Sequence, residues 1–244
     1  MIIIWIAACI ILLLFVWIVL FETNWVRLTS HTLPSPRGLN MTVVHLTDLH
    51  GRTRFINSRI SQRVNRLHPD HIIITGDLAG NYERETRSGI RKRRYTEQEY
   101  RDIIQSLQLM NVNVLTNSSY ITRQQGLVYG FDNSIYGNER LTLSRAELER
   151  SDYTIMLAHS SGIIDLLQES KLPFDLLLAG HTHGGQIRLW DRTIGAYKHF
   201  HSGLKALDGR RHFYINRGLG TVKIPVRLGC PPEIAVFRVE QQDA

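Results

Sequence analysis

The sequence predicts an α/β domain set behind one apolar N-terminal helix. Three observations carry that expectation. The first is an uncharged, proline-free run, Met1–Phe21. The second is a series of short apolar runs that each stop at an Asp, a His or a Gly, such as Met41–Leu46, Ile72–Thr75, Tyr153–Ala158 and Phe174–Ala179. Runs of that length bounded by turn residues read as buried strands. The third is apolar residues at helical spacing between them, as at Ile60, Val64 and Leu67, stopped by Pro69.

Taken in order, Met1–Phe21 comes first. At about 1.5 Å per helical residue it matches roughly the 30 Å hydrocarbon core of a bilayer. A cleaved signal peptide would show a basic start, a shorter apolar core and a small-residue cleavage site. Here Glu22-Thr23-Asn24-Trp25 follows directly, with Trp25 placed as an interfacial residue. Residues 1–21 therefore read as a single-pass anchor in the cell membrane. No Lys or Arg precedes the run, whereas Arg27 and Arg37 follow it, and this bias favours a cytoplasmic domain. Residues 22–40, with Pro34, Pro36 and Gly38, read as an irregular juxtamembrane connector, and residues 41–240 as one domain. The net charge of +7 suits an anionic membrane or a phosphorylated substrate. Cys9, inside the apolar run, and Cys230 make an implausible disulfide and leave no zinc finger.

Within the domain, chemistry-bearing residues fall at the ends of the expected strands. Met41–Leu46 runs into Thr47-Asp48-Leu49-His50, and Ile72–Thr75 into Gly76-Asp77. Ligands in open α/β sheets gather at that carboxyl edge. Thr96-Glu-Gln-Glu99 reads as a capping box opening a helix with Tyr100, Ile103, Ile104 and Leu107 on one face. Val112–Thr116 and Leu127–Phe131 read as strands, and Ser144 with Glu147 as a second cap. His159 follows the strand Tyr153–Ala158, and Ile163–Leu167 is a short helix. The run Phe174–Ala179 ends in Gly180-His181-Thr182-His183-Gly184-Gly185-Gln186, where flanking glycines let the backbone approach something small. The tail, with Gln186–Trp190, His212–Asn216 and Ile234–Val239, is strand-rich.

Asp48, His50, Asp77, His159, His181 and His183 thus stand at four strand ends. His45 and His71, within or beginning strands, read as fold histidines, as do His199, His201 and His212. Carboxylate and imidazole without thiolate suit Mn, Fe or Zn. A carboxylate between two histidine-bearing halves is the natural bridge of a two-metal centre with ions about 3.5–4 Å apart.

The ordered set Asp48-Leu-His50, Gly76-Asp77, His159 and Gly180-His-Thr-His183 resembles the motifs of calcineurin-like metallophosphoesterases. The resemblance runs from about Met41 to the end. Gly180–Leu189, Asn216–Gly220 and Arg227–Glu233 resemble the membrane-associated bacterial branch. It implies a four-layer α-β-β-α sandwich with a binuclear centre. Asp48, His50 and His183 would hold one divalent ion, His159 and His181 the other, with Asp77 bridging. The implied chemistry is attack of a metal-bound hydroxide on phosphorus.

One motif departs. The family's Gly-Asn-His-Asp/Glu is matched only by Gly80-Asn81-Tyr82-Glu83, three residues after Asp77 and with tyrosine in the histidine's place. Either Asn81 ligates the second metal and Tyr82 faces the substrate from a shortened loop, or the match is chance. The basic run Arg84, Arg87, Arg91–Arg94 that follows reads as a solvated loop or as a contact for lipid headgroups or a phosphorylated substrate. Nucleic acid is the poorer reading, since aromatics suited to stacking are not interleaved. The expectation is a membrane-anchored, metal-dependent phosphoesterase acting on phosphate mono- or diesters or pyrophosphates, small or lipid-linked. The alternatives are a degenerate, non-catalytic metal- or phosphate-binding membrane protein, and a basic binding module without metal.

Overall fold

The computed structural model describes residues 1–78, 97–132, 137–189, 192–193 and 202–241. The chain opens with helix α1 (Ile2–Val16), continued by a π-helical turn over Trp17–Glu22. Ile2–Glu22 is long and apolar enough to cross a membrane, and none of it is buried against the rest of the chain. The Thr23 hydroxyl donates to Ile18 O at 2.8 Å and closes the helix end.

The stretch expected to be an irregular connector holds a strand. Strand β1 (Arg27–Pro34) pairs in parallel with β14 (Glu233–Glu240), Arg27 opposite Glu233 through Pro34 opposite Glu240. Its signal was faint because it is an edge strand in which only Leu33 is fully buried. Pro34 sits at the end of that edge, where proline is tolerated. Next come β2 (Met41–Leu46), the two-residue strands β3 (Arg54–Phe55) and β4 (Ser58–Arg59), α2 (Ile60–Asn65) and β5 (His71–Ile74). The first large sheet has the order β1-β14-β2-β5, with β2 and β5 parallel.

After α3 (Glu97–Leu109) the expected strand Val112–Thr116 does not form; the strand there is β6 (Ser118–Ile121). Leu115 instead packs across Gly130, where a side chain would collide with it. Asn117, with φ +47°, turns the chain and accepts hydrogen bonds from Asp132 N and Arg140 N. Then follow β7 (Leu127–Gly130), α4 (Arg145–Arg150), β8 (Thr154–Leu157), α5 (Ile163–Glu169) and β9 (Leu176–Ala179). The expected cap at Ser144 is a reciprocal capping box with Glu147. Thr96 lies outside the described residues. The pair β10 (Arg188–Leu189) and β11 (Arg192–Thr193) precedes β12 (Gly203–Ala206) and β13 (His212–Ile215). The second large sheet has the order β12-β13-β9-β8-β7-β6, with β7, β8, β9 and β13 parallel neighbours.

Alternation within the strands builds four layers, α-β-β-α. Met41, Val43 and Phe237 meet Ile155, Leu176, Leu178 and Tyr214 between the sheets. Val44, Leu46 and Val236 face Ile60 and Val64 of α2. Met156, Leu177 and Phe213 face Leu148 of α4 and Ile163 and Leu167 of α5. Strands buried on both faces read as continuous apolar runs, which is why they were visible in the sequence. Leu178 is fully buried at the inter-sheet core. Leu178→Ala is expected to lower unfolding stability by about 2–5 kcal/mol in denaturant titration.

Candidate metal centre

The parallel strands deliver their carboxyl ends to one edge. Asp48 and His50 follow β2, Asp77 follows β5, His159 follows β8, and His181 and His183 follow β9. Backbone hydrogen bonds tie these loops together. Asp48 N donates to Gly76 O at 3.1 Å and His50 N to Asp77 O at 2.9 Å. Gly180 N donates to His159 O at 3.0 Å. The two sheets are joined where His181 N donates to Asp48 Oδ2 at 3.0 Å.

All six residues singled out in the sequence come together. The Nε2 atoms of His50 and His183 stand 3.2 Å apart, and His183 Nε2 lies 3.4 Å from Asp48 Oδ1. On the other side, His159 Nε2 lies 3.2 Å from His181 Nδ1. Asp77 Oδ2 is 3.6 Å from both His50 Nε2 and His159 Nε2, between the two groups. Donor atoms of Asp48, His50 and His183 lie within 4.8 Å of one another, as do those of Asp48, Asp77 and His159. Asp48 Oδ1 is buried and accepts no hydrogen bond. A carboxylate oxygen left so is costly, and a cation held among these lone pairs would offset that cost. The donor set fits a divalent ion of the Mn, Fe or Zn type.

The backbone is bent to make this cluster. Asp48, His50, Asp77, His181 and His183 all have positive φ, between 47° and 68°. Such conformations cost on the order of 1–3 kcal/mol each and persist only where the surroundings over-determine them. Two glycines clear the space. A Cβ on Gly76 would stand 2.5 Å from His159 Nδ1, and one on Gly180 would collide with the Thr47 side chain and lie 2.6 Å from Asp48 Oδ2.

Burial lowers the His183 imidazole to about 4, against the pull of Asp48. It is therefore neutral at physiological pH, the form a metal requires. A hydrogen bond to the Gly220 backbone acts the other way and raises its basicity. His45, fully buried and bonded to Thr75, and His71, bonded to Gln124, stay out of the cluster as expected. His212 bonds to Arg210 O. Asn81 and Tyr82, with Gly80, Glu83 and the arginine cluster, lie outside the described residues, as do His199 and His201.

No protein-family model matches the chain. The uncharacterized metallophosphoesterase YkuE of Bacillus subtilis is 24% identical over 263 aligned positions, spanning 90% of this chain and 87% of its own. An uncharacterized metallophosphoesterase of Aquifex aeolicus is 24% identical across 90% of this chain and 94% of its own. The chain is thus similar along most of its length to proteins named metallophosphoesterase. The phosphodiesterase YaeI of Escherichia coli is 35% identical over 102 residues, 39% of this chain and 34% of its own.

The sequence by itself attaches no role to the residues that hold the site from behind. Asn216, after β13, donates to His45 O at 3.0 Å and accepts from Gly218 N at 2.8 Å. Gly218 and Gly220 then run so close under Asp48 that a Cβ on Gly218 would stand 2.8 Å from Asp48 Cβ. Arg227 is fully buried and donates to the carbonyls of Gly220, Arg217, Gly218, Cys230 and His183. Burial lowers its guanidinium to about 10, so it stays charged at neutral pH. A signal for Asn216 was present, since it stands at a strand end like the histidines.

Proposed function

We propose that this protein is a metallophosphoesterase, a membrane-anchored hydrolase of phosphate mono- or diesters or pyrophosphates that works with two divalent ions. The observation that carries the reading is the position of Asp77 Oδ2, 3.6 Å from a histidine of each group. Asp48, His50 and His183 would hold one ion, and His159 and His181 the other, with Asp77 between them. Ions bound there lower the pKa of water and take up charge on the phosphoryl oxygens. The chain's own part is preorganisation. The cross-linked loops hold Asp48 and the histidines before substrate arrives, so no reorganisation is needed at the moment of reaction.

The apolar helix Ile2–Glu22 supports a membrane location, and Arg27 and Arg37 beyond it favour the cytoplasmic side. A lipid-linked or membrane-proximal phosphorylated substrate follows from that placement. One relative carries the name phosphodiesterase, which fits ester cleavage.

The test is metal content and turnover of the purified full chain. Two ions per chain and hydrolysis of aryl phosphates, lost on chelation and restored by Mn, are expected. Metal without turnover would move the non-catalytic reading ahead, and an absence of metal would overturn the centre. Comparing aryl with alkyl esters reads Tyr82 in the same assay. If Tyr82 stands in for a proton-donating histidine, Tyr82→His raises alkyl-ester turnover selectively, by up to about 10²–10⁴-fold.

A further inference from the structure

Between Gly51 and Pro69 the chain carries five arginines, Arg52, Arg54, Arg59, Arg63 and Arg66, and no Asp or Glu. This segment contains the β3–β4 hairpin, with Ile56 and Asn57 at its turn. The hairpin is fastened to the residues that leave the apolar helix. Ile56 N donates to Asn24 O at 3.1 Å. Asn57 accepts from Val26 N at 3.1 Å and donates to Val26 O at 2.9 Å. Arg63 donates to the same carbonyl at 2.9 Å, and Arg52 donates to Thr23 O at 3.2 Å and to the Asn24 side chain.

Two side chains at this junction are apolar and open to solvent. Ile56 is 55% exposed and Trp25 47%. A single exposed isoleucine needs no explanation by itself. Here it stands bonded to the end of a membrane-length helix, beside a tryptophan, the residue enriched at the headgroup level. The hairpin has a second oddity. Arg54 and Arg59 are directly opposed across its two strands. Like charges so placed destabilise a hairpin, so folding alone does not account for them. An anion bound between them would.

We infer that the β3–β4 hairpin is a second membrane contact. Ile56 and Trp25 enter the headgroup layer, and Arg54 and Arg59 engage the phosphates of anionic lipid. The inference rests on the membrane reading of Ile2–Glu22. It adds that the face beside His50, four residues before Arg54, is held against the bilayer. Each basic residue near an anionic surface favours the docked state by roughly fivefold.

The test uses the full chain reconstituted into phosphatidylcholine vesicles, with or without phosphatidylglycerol. In a Cys9→Ser background, Ile56→Cys carries an environment-sensitive fluorophore; Cys230 is buried. Leu109→Cys, at the exposed end of α3, is the control. Quenching of Trp5 and Trp17 by brominated acyl chains reports helix insertion independently. The expected result is quenching of the position-56 label by headgroup spin-labelled lipid in anionic vesicles. It should fall at least fivefold in neutral vesicles and in Arg54→Glu/Arg59→Glu, while the position-109 label stays unquenched throughout. A position-56 label in water while the tryptophans are quenched overturns the docking and leaves the anchor standing. Quenching indifferent to lipid charge overturns it too. So does a shielded but unquenched label in a chain that sediments as a dimer, since a second copy would then cover this face. Unquenched tryptophans would instead remove the anchor reading beneath it.

Discussion

Asp77→Asn is expected to lower phosphoester turnover by more than 100-fold and to release at least one ion per chain. Side chains that merely orient a metal ligand contribute about 10–100-fold. Asp77 as the proposed bridge would do more, because its Oδ2 stands at 3.6 Å from His50 on one side and His159 on the other. A neutral amide keeps the shape and would lose the charge that offsets the two proposed cations. The loop itself should survive, since His50 N bonds to the backbone oxygen of residue 77 and not to its side chain. The measurement pairs elemental analysis with aryl phosphate hydrolysis. Two ions and full turnover in this variant would mean that Asp77 does not bridge.

The second large effect is expected at Arg227. Arg227→Ala strands the carbonyls of Gly220, Arg217, Gly218, Cys230 and His183 in a dry interior. Breaking a buried charged network of this kind costs about 3–5 kcal/mol. For a chain of this size that is a fall of about 10 °C in melting midpoint. Metal affinity should drop about 10–100-fold as well, because the Gly220 carbonyl orients His183. Arg227→Lys keeps the charge but not the planar fork, and one ammonium cannot reach all five carbonyls. It should recover part of the melting midpoint and little of the metal affinity. A melting midpoint unchanged in Arg227→Ala would remove the network from the account.

The candidate ligands were legible because each follows an apolar run that a buried parallel strand needs. Leu176–Ala179 is one such run, and Gly180, His181 and His183 stand just beyond it. Arg227 was not legible. Its importance comes from five carbonyls that converge only after the loops beyond β9 and β13 have folded. Strand β1 was missed for a related reason. Its partner β14 lies some two hundred residues away, and β1 shows the sequence one fully buried residue, Leu33, where β14 shows Ile234, Val236 and Phe237. The stretch Val112–Thr116 had the composition of a strand, but Asn117 pulls the chain into a turn and the pairing starts at Ser118.

The junction between helix and sheet has a kinetic consequence. Only Thr23–Val26 separate the helix end from the first strand, and each is bonded to the domain or to the helix. Four residues reach at most about 14 Å even when fully stretched. With the helix in a bilayer, as proposed, the domain would have no tether on which to swing. It would then search a surface and not sweep a volume of solution. Encounter with a substrate in the same leaflet becomes a two-dimensional diffusion problem, set by how many substrate molecules share the leaflet and not by their bulk concentration.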